Sequence, residues 1–268
     1  MKSWLFVCFL LAAVCSTRAE ADDSFSLKIP DNNLTVYVSN LLGTALARTG
    51  HTVEIDLLDP SIPMPRQMVM LDLGKDIDLF WRGEDEMLKR RFLEVPVDLT
   101  EGLKGVRVLF VRPGDEERYA DVGTLDEFRN KKTVGVFGQD WNDIGVWSEN
   151  GLPYEEWRGR WNPDIFHQLA AGRTGVDYFS RGIMEIAVEA PQFPDLAVER
   201  HLALVYENDF RLYVSRNNPE LHALLTDALQ VVEADGTLSR MLREAFPEVY
   251  DEKALNLAGR RIIQLQMP

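Results

Sequence analysis

The stretch from Thr124 to Ile186 limits the fold of this chain more than any other part of the sequence. Its apolar run, Thr133–Phe137, ends at Gly138 and leads into a polar segment that suits the start of a helix. A short β-branched run before a helix start is typical of a parallel strand whose carboxyl end opens onto a ligand crevice. The pattern then predicts a further helix, a strand over Val176–Phe179 and another helix. We expect the rest of the chain to form the walls of this crevice.

The remainder of the chain alternates between helix and strand patterns. Helices are predicted where apolar residues recur at helical spacing, over 34–48, 66–73, 219–233 and 237–246. Strands are predicted for the apolar runs over 24–29, 51–58, 77–81, 105–111, 202–206 and 210–214, with 92–97 extended and 260–265 as a last strand. This alternation predicts an α/β fold with mainly parallel sheets flanked by helices.

The first residues have the pattern of a secretory signal peptide. Lys2 gives a basic start, Trp4–Val14 is apolar, and Ala19-Glu20-Ala21 is a cleavage site, with a cut after Ala19 as the alternative. The apolar run is too short for a membrane span, which takes about 20 residues. We therefore expect residues 1–21 to be removed and the protein to work in the periplasm. Both cysteines lie in this segment, so no disulfide is expected in the exported chain.

Charge and motif content exclude several functions. The net charge of −14 argues against nucleic acids and anionic membranes as partners, and we expect a monomer. No G-x-S-x-G motif is present, and the histidines are scattered without metal-ligand spacing. Asp140 and Asp143 are close enough in sequence for acid–base work, but no nucleophile accompanies them. The sequence therefore predicts a protein that is not an enzyme and holds no metal or cofactor.

Three short motifs, in order along the chain, carry a family resemblance. They are LDEFRNKKTVGV at 125–136, LAAGR at 169–173 with Asp177 soon after, and EADGTL at 233–238. Together they resemble the bacterial periplasmic solute-binding proteins of the polar amino acid transporter type. The resemblance spans nearly the whole exported chain and implies the type 2 periplasmic-binding fold, with two lobes that close on a ligand like a hinge.

The resemblance also implies how the lobes and the ligand contacts are distributed. The first lobe would comprise 22–111 and 208–268, and the second 112–207. In the family an arginine clamps the ligand carboxylate, a turn at a helix start assists it, and an aspartate in the second lobe takes the amine. The arginine corresponds to Arg90 or Arg91 and the turn to 138–141. The amine position falls within 178–181, where Arg181 reverses the charge, which disfavours a free amino acid as ligand.

The candidate ligand-binding residues follow from these placements. Guanidinium groups suit carboxylates and phosphates, backbone amides at a helix start bind anions, and tryptophans after strands give flat apolar walls. The alternatives are surface salt bridges for the arginines, a core position for the tryptophans and a plain turn capped by Asp140. The residues concerned are Trp81, Arg82, Arg90, Arg91, Gly138, Gln139, Trp141, Asp143 and Arg181.

The predicted function is the capture of a small polar, anionic solute between two lobes. Its natural partner would be the membrane permease of an ABC-type transporter. A second hypothesis keeps the fold and replaces transport with sensing, in an accessory module that reports to a membrane sensor. A third hypothesis is a dehydratase-like enzyme on the same scaffold.

Overall fold

A computed structural model describes residues 23–172 and 175–268 of the chain. The predicted signal peptide, residues 1–21, lies outside the described residues. In the part of the chain that the structure describes, no helix has the length and apolar character needed to cross a membrane.

Strands and helices alternate along most of the chain. The strands are β1 (Asp23–Ile29), β2 (His51–Leu57), β3 (Leu79–Gly83), β4 (Leu93–Val95), β5 (Val106–Val111), β6 (Gly135–Gly138), β7 (Tyr154–Trp157), β8 (Tyr178–Gly182), β9 (Ala197–Val198), β10 (Leu202–Val205), β11 (Phe210–Val214) and β12 (Arg261–Gln264). The helices are α1 (Thr35–Arg48), α2 (Met64–Asp72), α3 (Glu86–Arg91), α4 (Leu125–Asn130), α5 (Asp143–Glu149), α6 (Trp161–Ala171), α7 (Ile183–Glu189), α8 (Pro219–Ala234), α9 (Thr237–Ala245) and α10 (Pro247–Tyr250).

Most predicted elements are confirmed; strands β3 and β8 have different bounds, and strands β7 and β9 were not predicted. Strand β3 begins at Leu79 rather than residue 77 and includes Arg82. Strand β8 runs to Gly182, so Arg181 lies within the strand and does not follow it as predicted. Strand β7 has no counterpart among the predictions, because its two central residues are glutamates and the strand is only partly buried. Its backbone pairing with β6, not its own side chains, makes it a strand.

The described strands form two groups. In the first, β1 pairs with β2 in parallel, and β11 lies between β3 and β4 with both pairings antiparallel. The second is a seven-stranded sheet in the order β12-β10-β5-β8-β6-β7, with β9 also paired to β5. In it β6 runs parallel to β7 and β8, and β5 runs antiparallel to β8 and β10. The fold is therefore α/β, with parallel pairing where strands and helices alternate.

Two strands join the seven-stranded sheet from outside the segment 112–207. Strand β5 exchanges hydrogen bonds with β8 and β10, and β12 pairs in parallel with β10. The sequence analysis assigned both to the first lobe. Local sequence could not show this, because a strand's own apolar pattern does not reveal which sheet it will join. The exact lobe boundaries stay a prediction.

The central α/β unit forms as its local sequence requires. Helix α4 begins with a capping box, in which the Thr124 hydroxyl accepts from the Glu127 amide and the Glu127 carboxylate accepts from the Thr124 amide. The next strand, β6, is buried along its whole length. Burial on both faces explains its continuous apolar run. The strand therefore carries Gly138 and the turn after it to the edge of the sheet.

Three hydrophobic clusters hold the described fold together. One packs around Tyr119, Phe137 and Trp147 within the seven-stranded sheet, and another around Phe80 and Phe92 beside β3. The remaining cluster joins the two groups of strands, since it includes α1 and α8 together with residues of β5 and α7. The two groups of strands, which comprise three sheets, are thus packed against a shared apolar surface, and the cleft described below lies between the groups.

Candidate functional site

A cleft of about 1010 Å³ opens where the two groups of strands meet. One wall is the end of β3 with the residues that follow it, 82–85. The opposite wall is the turn after β6, the start of α6 and the junction of β8 with α7. The segments that connect the two groups, 104–107 and 206–210, also line the cleft. Each wall therefore comes from a different sheet, which suits a site that closes around a ligand.

A buried polar network lies where the connecting segments meet the start of α5. Arg107, 8% exposed, donates from Nε and Nη2 to the Tyr206 hydroxyl, at 2.8 and 2.6 Å. The same hydroxyl donates to Asp143 Oδ1 at 2.8 Å, and Arg107 Nη2 lies 2.8 Å from that oxygen. Burial disfavours the charge on Arg107, but its contacts with Tyr206, Asp143 and Glu185 outweigh this and raise its pKa. The network fixes α5 to both connecting segments.

Arg181 is held by carboxylates of its own sheet and helix. It is 7% exposed, donates from Nε to Glu189 Oε2 at 2.8 Å and from Nη2 to Glu189 Oε1 at 2.5 Å, and its Nη1 lies 3.4 Å from Glu185 Oε2. Its guanidinium carbon is also 5.2 Å from the ring centroid of Trp141 and 4.9 Å from that of Trp161. A guanidinium group whose nitrogens already bind carboxylates has little capacity left for a ligand carboxylate. Arg181 therefore serves to shape the aromatic wall.

Two other cations of the cleft have no carboxylate partner among the described residues. Lys104 Nζ lies 5.2 Å from the centroid of the Phe210 ring, its one described polar or charged contact. Arg82, at the end of β3, is exposed and makes no described hydrogen bond or ion pair. Burial, reinforced by the positive charge of Arg107, lowers the pKa of Lys104 from 10.5 to about 8. A half-buried ammonium without a carboxylate partner is a natural place for an anion to bind.

The turn after β6 departs from the expected helix-start anion site. Helix α5 has only seven residues, and Asn142 precedes it without a side-chain cap. Asp140, proposed as the alternative cap, instead sits in the left-handed region at φ 62°. Gly138 is required here because a Cβ would lie 2.5 Å from Nε1 of Trp141. The turn therefore serves to seat the Trp141 indole against the strand end.

The structure brings together four of the nine residues proposed from sequence. Arg82, Trp141, Asp143 and Arg181 line the cleft. The other five lie outside the cleft lining: Trp81, Arg90, Arg91, Gly138 and Gln139.

Each of these five has a physical reason for its position. Trp81 is 3% exposed and belongs to the hydrophobic core. Arg90 is exposed and bonds the Glu86 carbonyl of its own helix, and Arg91 pairs with Asp72. Gly138 is buried beneath Trp141, and Gln139 is exposed on the turn away from the cleft lining. For Arg91 the surface salt-bridge alternative therefore describes the structure better, whereas Arg90 is exposed without an ion pair among the described residues.

Sequence reasoning missed several residues that line the cleft. Arg107 is a charge inside the otherwise apolar strand β5, and that anomaly was a usable signal. Asn208 stood at the expected boundary between the lobes, with nothing to mark it as a ligand contact. Lys104, Trp161 and Tyr206 carried no local pattern at all, because their roles depend on neighbours distant in sequence.

A second cavity of about 920 Å³ shares Glu84, Tyr206 and Asn208 with the cleft. It is mainly acidic, and several of its carboxylates are engaged. Glu84 pairs with Lys89 at 2.8 Å, and buried Asp209 accepts from the Thr100 amide and hydroxyl at 2.9 and 2.8 Å. This cavity is therefore the structural back of the cleft. Among the described residues no cluster of His, Cys, Asp or Glu is arranged to hold a metal ion.

Comparisons with known proteins give similarity at the level of structure. No protein-family model and no curated protein sequence matches the chain. The probable amino-acid ABC transporter extracellular-binding protein of Bacillus subtilis is 16% identical, with a TM-score of 0.64 over 85% of this chain and 100% of that one. An ancestral arginine-binding protein bound to glutamine is 17% identical, with a TM-score of 0.53 over 83% and 98%. An amino acid ABC transporter substrate-binding protein of Streptococcus pneumoniae, bound to L-arginine, is 14% identical, with a TM-score of 0.54 over 83% and 94%.

These similarities decide the architecture. The chain has the two-lobed periplasmic-binding fold. The α/β fold class and the resemblance expected from the three sequence motifs are thereby confirmed at the level of the fold. In the periplasmic-binding fold a ligand lies between lobes that close on it, which agrees with the position of the cleft between the two sheets.

Proposed function

We propose that this protein is an extracytoplasmic solute-binding protein that captures a small polar, anionic solute in the cleft and delivers it to an ABC-type transporter. The proposal rests on one observation: two cations of the cleft are paired with carboxylates and two are not. Lys104 and Arg82 line the cleft without a carboxylate partner among the described residues, whereas Arg107 and Arg181 are neutralised by Asp143, Glu185 and Glu189. An unpaired, partly desolvated cation favours an anionic ligand.

The lobe organisation proposed here follows the hydrogen-bonded sheets. The first lobe comprises β1 to β4 with β11 and the helices packed on them, and the second comprises β5 to β10 with β12. Segments 99–105 and 206–209 connect them. Closure would bring Arg82, from the first lobe, towards Trp141 on the second. The solute would then be shielded from water, which strengthens its contact with both cations.

The solute is proposed to be an anion and not a zwitterionic amino acid. Relatives of this fold have been found with arginine and glutamine bound. In this chain Arg181 of β8 occupies the part of the sequence where the resemblance puts the carboxylate for an amine. The nearby carboxylates Glu185 and Glu189 are already paired with guanidinium groups. Where Lys104 and Arg82 line the cleft, a ligand ammonium would thus meet cations that have no carboxylate partner among the described residues.

Binding without chemistry is proposed because the neighbouring pair Asp143 and Tyr206 is engaged in the buried network. Asp143 accepts from both Tyr206 and Arg107, and burial raises the pKa of the Tyr206 hydroxyl. A general base has to be free to take a proton near its working pH. The buried network instead acts as fixed scaffolding that positions the wall carrying Trp141.

A ligand screen on protein shown to be ligand-free tests the proposal. The panel comprises the common amino acids, mono- and dicarboxylates and inorganic phosphate, with thermal shift followed by calorimetry. A ligand at 100 times its Kd adds about 2.7 kcal/mol to the free energy of unfolding. We expect carboxylates or phosphate to raise Tm in the wild type and to lose that effect in Lys104→Met and Arg82→Ala.

The matched control is Lys75→Met, because Lys75 is exposed and lies outside the cleft lining. It should keep the wild-type shift. If no compound of the panel shifts Tm, the proposed capture function is wrong. If only amino acids do so, and with Lys104→Met unaffected, the anionic-solute assignment is wrong.

A further inference from the structure

Lys104 and Asn208 present complementary polar atoms at one point of the cleft. Lys104 comes from the 3-10 turn Leu103–Gly105 before β5, and Asn208 from the link between β10 and β11. A Cβ at Gly83 would lie 2.8 Å from Lys104 Nζ and 2.8 Å from Asn208 Oδ1. The ammonium and the amide oxygen therefore both approach Gly83 closely, and a residue with a Cβ at this position would displace them.

Neither atom is satisfied within the described part of the protein. Asn208 Oδ1 is buried and has no hydrogen-bond partner, and the Lys104 ammonium has neither a hydrogen bond nor a carboxylate contact. Buried polar atoms of folded proteins are almost always paired, so an orphan at a cleft calls for a partner from outside. Such a partner needs an anionic group for Lys104 and a hydroxyl or similar donor for Asn208.

The Lys104 ammonium itself favours a neutral donor over a second ammonium. Arg107 and Arg82 lower the pKa of Lys104 while Asp143 and Glu185 raise it, so charges of both signs act at this position. A ligand ammonium placed beside the Lys104 ammonium would be repelled, whereas a hydroxyl would not. A hydroxyl can also accept as well as donate, so it suits either end of the Asn208 side-chain amide.

We propose that Lys104 and Asn208, whose polar atoms converge beside Gly83 in the cleft lining, form a subsite for a 2-hydroxycarboxylate. The carboxylate binds the Lys104 ammonium, and the adjacent hydroxyl binds the Asn208 amide. The proposal rests on the proposed solute-binding function and specifies its ligand class. Carboxylate and hydroxyl on neighbouring carbons match two polar side chains that converge on one glycine.

Paired ligands that differ by a single hydroxyl test this subsite. Titration calorimetry at pH 7 compares L-malate with succinate and L-lactate with propionate, on the whole exported chain freed of bound solute. We expect at least one hydroxy acid to bind about tenfold more tightly than its deoxy partner, since an unpaired buried acceptor penalises the deoxy ligand. Asn208→Ala and Asn208→Leu should reduce that preference to less than about twofold.

Two further variants examine the other parts of the subsite. Lys104→Met should weaken a hydroxy acid and its deoxy partner about equally, by tenfold or more, because both have the carboxylate. Gly83→Ala places a methyl between the two polar groups and should weaken the hydroxy acid. The controls Lys75→Met and Asn217→Ala change exposed residues outside the cleft lining and should leave both affinities unchanged.

The outcomes separate this inference from the function on which it rests. Equal affinities within both ligand pairs, or a preference that survives in both Asn208 variants, overturn the subsite. Binding of phosphate or an amino acid but of none of the four carboxylates also overturns it and leaves solute capture standing. Absence of binding by every compound in the wider panel removes solute capture itself.

Discussion

At the scale of single residues, pairing distinguishes the cations that build the cleft from those available to a ligand. Arg107 and Arg181 are buried and bound to carboxylates. Removing one member of such an ion pair would leave the other as a buried charge without a counterion. Lys104 differs because it is half-buried without a counterion among the described residues. Such a lysine destabilises the empty protein, and a bound anion would relieve this. The trade of stability for binding is common at functional sites.

Lys104→Met should stabilise the ligand-free protein. The fold lowers the pKa of Lys104 from its ordinary value of 10.5 to about 8, so the charge of Lys104 destabilises the fold by about 2–3 kcal/mol at pH 7. Because the folded pKa is the lower one, the unfolded chain binds more protons between pH 8 and 10.5, and the wild type gains relative stability as pH rises through that window. Urea unfolding of both proteins at pH 7 and pH 10 measures the difference.

The difference between the two proteins should be about 2 kcal/mol in favour of Lys104→Met at pH 7 and should shrink towards pH 10. Of the groups that influence Lys104, Arg82 and Arg107 are cationic and Asp143 and Glu185 anionic, and carboxylates and guanidinium groups ordinarily keep their charge over this range. A variant that is less stable than the wild type at pH 7 would show that Lys104 is satisfied in the fold.

At the scale of elements, short irregular links carry the ligand-facing groups and regular elements hold those links. Buried Asp209 joins the two connecting segments. Its carboxylate accepts from the Thr100 amide at 2.9 Å, from the Thr100 hydroxyl at 2.8 Å and from the Gly102 amide. The bonds fix the loop before Lys104 to the link that carries Asn208. A single carboxylate thus sets the spacing of the two chain crossings.

Asp209→Ala should lower the free energy of unfolding by about 2–4 kcal/mol, because it leaves several buried donors unpaired. Asp227→Ala is the matched control. Asp227 is exposed on α8 and makes no described contact, so its loss should change stability by less than about 0.5 kcal/mol. Chemical denaturation of the three proteins provides the measurement. Equal stabilities would mean that water or relaxed geometry replaces the carboxylate.

At the scale of the whole molecule, two sheets share one hydrophobic cluster and are linked by two short chain crossings. Residues of α7, Ile183 and Ile186, pack in the same cluster as Leu103 and Val249. If the two groups of strands keep this apolar contact while the chain bends at the two crossings, the cleft can open and close without exposing the core. The architecture therefore suits hinge closure more than sliding of one sheet over the other.

A bound solute should make the molecule more compact. Small-angle scattering on the wild type, with and without a saturating solute identified in the screen, is expected to show a smaller radius of gyration in the bound form. Lys104→Met at the same solute concentration serves as the control and should show no change. Calorimetrically proven binding with an unchanged radius of gyration would contradict closure.

The periodic signals in the sequence predicted much of the fold and part of the site. Helical spacing located α1, α8 and α9, and apolar runs located β5 and β6, because these patterns reflect burial that repeats along the local chain. Arg82, Trp141, Asp143 and Arg181 were predicted because each stands at a strand end or a helix start. Strand β7 and the position of Arg90 outside the cleft were not predicted, because both depend on neighbours in space.

By itself the sequence determined most of the order of strands and helices, the family of folds and the presence of a cation at position 181, since all three are readable from residue types and local spacing. Only the tertiary structure decided which charges are paired. Arg107 meets Tyr206, 99 residues away in sequence, and Lys104 has no ion pair among the described residues because the nearby Asp143 and Glu185 pair with Arg107 instead. Pairing depends on distances between segments remote in sequence, and those distances exist only once the sheets have assembled.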